Sequence, residues 1–288
     1  MGDRWAAWLL EHRFGANPAA KERMLVWLEE VRDKVLAGAR IEPGDTVLDV
    51  GCGDGLLGVG AAERVGETGT VIFSDISAEL LDRCREITTD LGVAGRCRFI
   101  HSGLPDLAAL EPGSADVVLT RSVLIYVADK AAAFATMHRL LRPGGRLSIF
   151  EPINSFGRPV PPSELWGFDV TGLEPLAAKF HDTYRSHQPD NDPMGDFDER
   201  DLLGHAMAAG FTDVHLEYLV DLGRDPDPVD WDTFLRTAPN PLVPTFGEVL
   251  DEALDPAERA TLTRHLRTQL GPGARTRRHA VAYLTARR

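Results

Sequence analysis

The chain has 288 residues, 43% of them hydrophobic, and a formal net charge of -13. That apolar content fills a sizeable core and excludes a disordered chain, while the length suits one large α/β unit with insertions. The acidic balance repels phosphate backbones and anionic lipid, so neither nucleic acid nor a membrane surface is the expected partner. The basic cluster Arg275, Arg277 and Arg278 reads as a solvated face.

Residues 1–40 read as an N-terminal helical segment. Trp5, Trp8 and Leu9 recur at helical spacing until Asn17-Pro18 breaks the run. Met24, Leu25, Trp27, Leu28, Val31 and Val35 then give a second helix its apolar face. The tryptophans read as packing on the domain rather than as ligand contacts. Asp3, Arg4, Glu11 and Arg13 interrupt the first apolar stretch, which is too short for a signal sequence or a membrane span. Cys52, Cys84 and Cys97 are scattered and odd in number, with neither disulfide nor zinc-ligand spacing. A reducing cytoplasm and no metal site are the expectation.

From Pro43 short β-rich runs alternate with helices. The strands are Thr46–Val50, Val71–Ser74, Arg98–His101, Asp116–Thr120 and Arg146–Phe150; the helices are Leu56–Val65, Ala78–Leu91 and Lys130–Leu141. Such alternation implies right-handed crossovers, and so a doubly wound, mainly parallel sheet with helices on both faces. Ligands of such sheets lie at the carboxyl ends of the strands. Residues 152–196, rich in Pro, Asp and aromatics, read as a lid-like insertion. A helix, Glu199–Ala209, and a strand, Val214–Val220, follow. A helical insertion, 226–273, has helical pattern in Trp231–Leu235 and Glu258–Leu270, and a closing strand is expected at Ala280–Leu284.

The sharpest segment is Val47-Leu48-Asp49-Val50-Gly51-Cys52-Gly53-Asp54-Gly55, a hydrophobic strand running through a glycine turn into a helix. A dinucleotide-binding turn wants Gly-x-Gly-x-x-Gly, but here the third glycine comes one residue early and Leu56 takes its place. No lysine follows, so the phosphate-cradling loop is absent too. Phe73-Ser74-Asp75-Ile76-Ser77 then puts an acid at the end of the second strand, where a carboxylate can accept both hydroxyls of a ribose. Ser77 is better placed than Asp75 to cap the following helix, which leaves Asp75 without a structural role.

Together these pieces resemble class I S-adenosylmethionine-dependent methyltransferases. Their first motif is a strand followed by Asp-x-Gly-x-Gly-x-Gly. Asp116-Val117-Val118-Leu119-Thr120-Arg121 resembles the family's fourth strand, Leu140-Leu141-Arg142-Pro143-Gly144-Gly145 its turn into the fifth, and the last two strands its closing hairpin. The resemblance implies a seven-stranded sheet and S-adenosylmethionine as cofactor, in a methyltransferase domain spanning 41–288. It places Asp49, Gly51, Cys52, Gly53, Gly55, Asp75, Ile76, Thr120 and Arg121 at the cofactor. The family commonly has an Asp after the third strand for the adenine amino group. Here Ser102 and Gly103 stand there, so either Ser102 with the Leu104 N–H, or Asp106 reaching back, serves the adenine.

Tyr126, Glu151, His181 and Tyr184 are the candidate bases, and Asn154, Trp166, Phe168 and Tyr184 the candidate substrate contacts. Aromatics in the insertions suit an enclosed pocket for a small organic metabolite or natural-product intermediate. Two rivals stay open at this stage. One is a non-methylating enzyme or binding module on the same fold. The other, which the glycine spacing disfavours, is a nicotinamide-dependent oxidoreductase.

Overall fold

The computed structural model describes residues 3–13 and 17–288; Met1, Gly2 and residues 14–16 of the N-terminal helical segment lie outside it. The sheet has β1 (Thr46–Val50), β2 (Thr70–Asp75), β3 (Cys97–His101), β4 (Ala115–Arg121), β5 (Leu141–Pro152), β8 (Thr212–Arg224) and β9 (Thr276–Arg287). Their spatial order is β3-β2-β1-β4-β5-β9-β8. The first five pair in parallel, and β9 runs antiparallel to both β5 and β8. Chain order reverses on either side of β1, which sets the switch point at its carboxyl end.

Side chains alternate across the pleat, so β1 feeds two cores. Val47 joins Val31, Val35 and Leu36 of α2 (Pro18–Ala39) with Leu57 and Ala61 of α3 (Leu56–Arg64) and Leu81 of α4 (Ala78–Asp90). Leu48 and Val50 join Phe134 and Met137 of α5 (Lys130–Leu140) with Leu202 of α7 (Glu199–Ala208). Helices therefore cover both faces, as expected. The apolar face of α2 is narrower than its sequence suggests, because Met24 and Leu25 are exposed. Among the described residues, no helix is long and apolar enough to cross a membrane.

The two insertions are more regular than expected. Residues 152–196 contain a two-stranded hairpin, β6 (Glu164–Leu165) with β7 (Phe168–Asp169), and α6 (Glu174–Ser186). The second insertion holds α8 (Trp231–Leu235), α9 (Phe246–Ala253) and α10 (Pro256–Leu266). Their apolar residues meet in a third core that includes Phe168, Phe180, Trp231, Phe246 and Leu262. The closing strands run well past their expected ends. From Leu219 to Arg224 every β8 residue is exposed, so the ladder continues where no apolar alternation marks it.

Candidate functional site

The turn after β1 is built by backbone geometry. Gly51, Gly53 and Gly55 have φ of 64°, 55° and 91°, the left-handed region that side chains disfavour. A Cβ on Gly51 would stand 2.4 Å from Val123 Cγ2. Cys52 N donates to the Ser74 carbonyl at 3.0 Å and Gly53 N to Asp75 Oδ2 at 2.8 Å. Behind the turn, Asp49 accepts from Gly58 N at 2.7 Å and so pins the start of α3.

Complete burial pushes the Asp49 carboxyl up to about 7. Unfolded, it returns to about 4, so between these pH values the folded chain keeps a proton that the unfolded chain releases. Its stabilising contribution is therefore full below about pH 4 and is lost as pH rises through 7. Asp49→Asn should gain on the wild type by about 3–4 kcal/mol between pH 4 and pH 8, read from urea unfolding at each pH. A pH-independent difference would refute this account.

Asp75 has the structural role that sequence reasoning denied it. Besides Gly53 N–H, it accepts Ser77 N–H through Oδ1 at 2.9 Å. Ser77 caps α4 as expected, accepting from Leu80 N at 3.1 Å. Each Asp75 oxygen keeps a further lone pair, and the carboxylate borders a cavity of about 390 Å³ at the carboxyl ends of the strands.

Gly51, Gly53, Ile76, Gly103, Leu104 and Arg121 line that cavity too, as do Tyr126 and Asn154. The other sequence candidates do not. Asp49 and Cys52 lie under the turn, Gly55 packs on Cys84 and Val59, and Thr120 is fully buried in β4. The Ser102 hydroxyl is turned onto the Asp106 carbonyl, and the Asp106 carboxylate accepts from Ala108 N at 3.2 Å rather than reaching back. Gly103 and Leu104 are what the chain after β3 presents there.

Glu151 is buried beside the cavity and occupied. It accepts from Val123 N and Leu124 N at 2.9 Å and from Ile125 N at 3.3 Å. Burial raises it to about 7, but it faces backbone, so it holds the loop that carries Tyr126. Burial also raises the Tyr126 phenol above its ordinary value. His181 and Tyr184 border a separate groove, with His181 Nε2 3.2 Å from the Glu164 carbonyl and Tyr184 pushed by burial to about 12. Phe168 is fully buried in the third core, and Trp166 packs there edge-on to Phe180, Tyr184 and Phe246. Of the four expected substrate contacts, only Asn154 reaches the cavity.

The residues that sequence reasoning missed come from the N-terminal segment. Trp5, Trp8, Leu9 and Arg13 form one wall. Trp5 meets Tyr126 edge-on at 4.9 Å, and Trp8 Nε1 donates to the Ala238 carbonyl at 2.8 Å. Asp3 accepts from Ser77 Oγ at 2.5 Å, so the wall spans from the end of β2 to the second insertion. Its signal was present in the Trp5-Trp8-Leu9 spacing and was read as packing. Ala238 and Pro239, which also line the cavity, carry no sequence signal.

A family model described as a methyltransferase domain matches residues 41–185, half of the chain. The chain belongs to the methyltransferase-domain family. The ubiquinone/menaquinone biosynthesis C-methyltransferase UbiE of Vibrio cholerae is 34% identical over 151 residues, 52% of this chain and 50% of that protein. The tRNA 5-carboxymethoxyuridine methyltransferase of Escherichia coli is 33% identical over 139 residues, 47% and 50% of the two chains. This methyltransferase-family chain thus spans about half the length of the curated relatives it matches. Its fold is also that of geranyl diphosphate C-methyltransferase from Streptomyces coelicolor, solved with S-adenosyl-L-homocysteine, at a TM-score of 0.52 and 17% identity over 90% of this chain and 75% of that one.

Proposed function

We propose that the cavity binds S-adenosylmethionine and that the chain transfers its methyl group to a small organic acceptor. The observation that carries this reading is the placement of opposite charges along one cavity. Asp75 ends β2 and Arg121 ends β4, two strand spacings apart, or about 9–10 Å. Between them lies glycine backbone. A ribose diol at one end and an aminoacyl group at the other fit that order, with Ile76, Leu80 and Leu104 offering an apolar seat for adenine.

When bound, the sulfonium supplies an electrophilic methyl group. The chain's own residues then have to align and desolvate an acceptor. Alignment of that kind is worth roughly 7–11 kcal/mol. Asn154 and Tyr126 are polar groups placed to orient the acceptor, and the Tyr126 phenol, which burial keeps in its protonated form, offers a hydrogen bond rather than acting as a base. No histidine lines the cavity among the described residues, and its one acid, Asp75, stands at the ribose end. This favours an acceptor that arrives already deprotonated.

One relative is named for a tRNA substrate. The net charge of -13 and the apolar cavity support a small molecule instead. Calorimetry should show S-adenosylhomocysteine binding and no binding of a nicotinamide dinucleotide. Incubation with S-adenosylmethionine and candidate small acids should give a product heavier by one methylene mass. Nicotinamide binding without S-adenosylhomocysteine binding would refute the proposal.

A further inference from the structure

We propose that Cys52 and Cys84 form a redox modification site, where a hydroperoxide oxidises the paired thiols to a disulfide and unseats the glycine turn. The consequence for ligand rests on the cavity being the cofactor site proposed above; the bond itself does not.

The two cysteines are 32 positions apart in the chain, and the fold brings them together. Cys52 belongs to the turn after β1 and Cys84 to α4, and both sit in the core that contains Val47 and Phe73. Their sulfurs are 3.9 Å apart and turn to one backbone acceptor, the Gly53 carbonyl, 3.3 Å from Cys84 Sγ and 3.7 Å from Cys52 Sγ. Cys84 is fully buried, whereas Cys52 keeps 6% exposure. Cys97 is engaged elsewhere, its thiol donating to the Val93 carbonyl at 3.3 Å.

A buried thiol is ordinarily inert, because its thiolate is scarce. The hydrogen bond shared with Cys84, then burial, hold the Cys52 thiol well above its ordinary value, and the nearby charges of Cys84, Asp49 and Asp75 add to this. Attack on an oxidant therefore waits for openings of the turn and is slow. What sets the site apart is the second thiol within reach, because a sulfenic acid beside a thiol condenses to a disulfide. Cys52, the one with some exposure, bonds one peroxide oxygen as the O–O bond breaks, and the other oxygen leaves as water with the thiol proton. Cys84 sulfur then displaces the hydroxyl from Cys52 sulfur, and that hydroxyl leaves as a second water with the Cys84 proton. Two thiols lose two electrons and two protons, and one peroxide becomes two waters.

A disulfide is about 2.0 Å long, so the sulfurs must close by about 2 Å. On one side Cys84 is fixed by a thirteen-residue helix that also buries Leu80 and Leu81. On the other, the turn is held by backbone bonds, Cys52 N to the Ser74 carbonyl and Gly53 N to Asp75 Oδ2. The turn is the part that yields. Gly51 and Gly53 then leave their places on the cavity wall, and the Gly53 carbonyl loses both thiol donors.

The test treats the wild type, Cys52→Ala, Cys84→Ala and Cys97→Ser with hydrogen peroxide. Intact mass, non-reducing peptide maps and S-adenosylhomocysteine titrations are read before and after dithiothreitol. The wild type and Cys97→Ser should lose two hydrogens, yield a peptide linking Cys52 to Cys84, and bind S-adenosylhomocysteine about 10–100-fold more weakly until reduced. Neither alanine variant should form that link; if one fails to fold, the other decides. S-adenosylhomocysteine bound beforehand should slow the link in the wild type. A wild type that only gains oxygen, links Cys84 to Cys97, or keeps its thiols at a peroxide dose that oxidises its methionines overturns the site. A linked protein with unchanged affinity overturns the unseating of the turn. A reduced wild type that binds no S-adenosylhomocysteine overturns the cofactor reading instead, and the peptide map still decides the pair. Hydrogen exchange over residues 49–58 then reads the turn: faster exchange in the linked protein supports its unseating, and unchanged exchange overturns it.

Discussion

Asp75→Ala should weaken S-adenosylhomocysteine binding by about 10–100-fold, through loss of charge-assisted bonds to the ribose. The same change should lower stability by about 1–3 kcal/mol even without ligand, because it strands the Gly53 and Ser77 N–H groups that the carboxylate now accepts. Ser77→Ala is the control. It removes the α4 cap, at a cost of about 1 kcal/mol, and the hydroxyl that Asp3 accepts, but leaves the Asp75 oxygens in place, so affinity should fall much less than in Asp75→Ala. Calorimetry and urea unfolding on both variants separate the two effects. Full ligand affinity in Asp75→Ala would remove the ribose role; unchanged stability would remove the turn-pinning role.

The second large effect is purely structural. Phe180 is fully buried in the third core, its ring centroid 4.8 Å from that of Phe246 and 6.1 Å from that of Trp166. Phe180→Ala should cost about 3–5 kcal/mol of stability and leave S-adenosylhomocysteine affinity within about threefold. A lid that closes over substrate would give the opposite pattern: modest destabilisation and a raised Michaelis constant. Urea unfolding and ligand titration of this one variant decide between them.

The parallel half of the fold was legible because its inner strands β1, β2 and β4 are almost wholly buried and alternate with regular helices. Thr46–Val50 and Trp231–Leu235 fall where their residues place them. α6 and α9 were not legible: the first follows a proline-rich stretch and carries Pro175 in its first turn, and the second is held by its packing in the third core through Phe246, Val249 and Leu250. At the site, glycine spacing and the acid after β2 located the cavity. Sequence could not say which flagged residues face inward. Asp49 and Glu151 look like site acids, yet both are spent on backbone N–H groups, whereas two tryptophans at helical spacing look like core and form a wall. Direction of a side chain is set by packing partners far along the chain, and local pattern does not encode it.

Those distant partners impose an order of assembly. Trp8 is held by Ala238, 230 positions further along, and Asn17 bonds Thr233 across 216. During synthesis, at about 5–20 residues per second, the N-terminal segment must wait more than ten seconds for its partners to be made. The strands β1 to β5 and the glycine turn need nothing beyond Pro152 to pair among themselves. The nascent chain can therefore present a formed turn while the wall over it is still unanchored. A ligand that meets the chain at that stage finds a shallow open shelf, and its enclosure becomes one of the last events of folding.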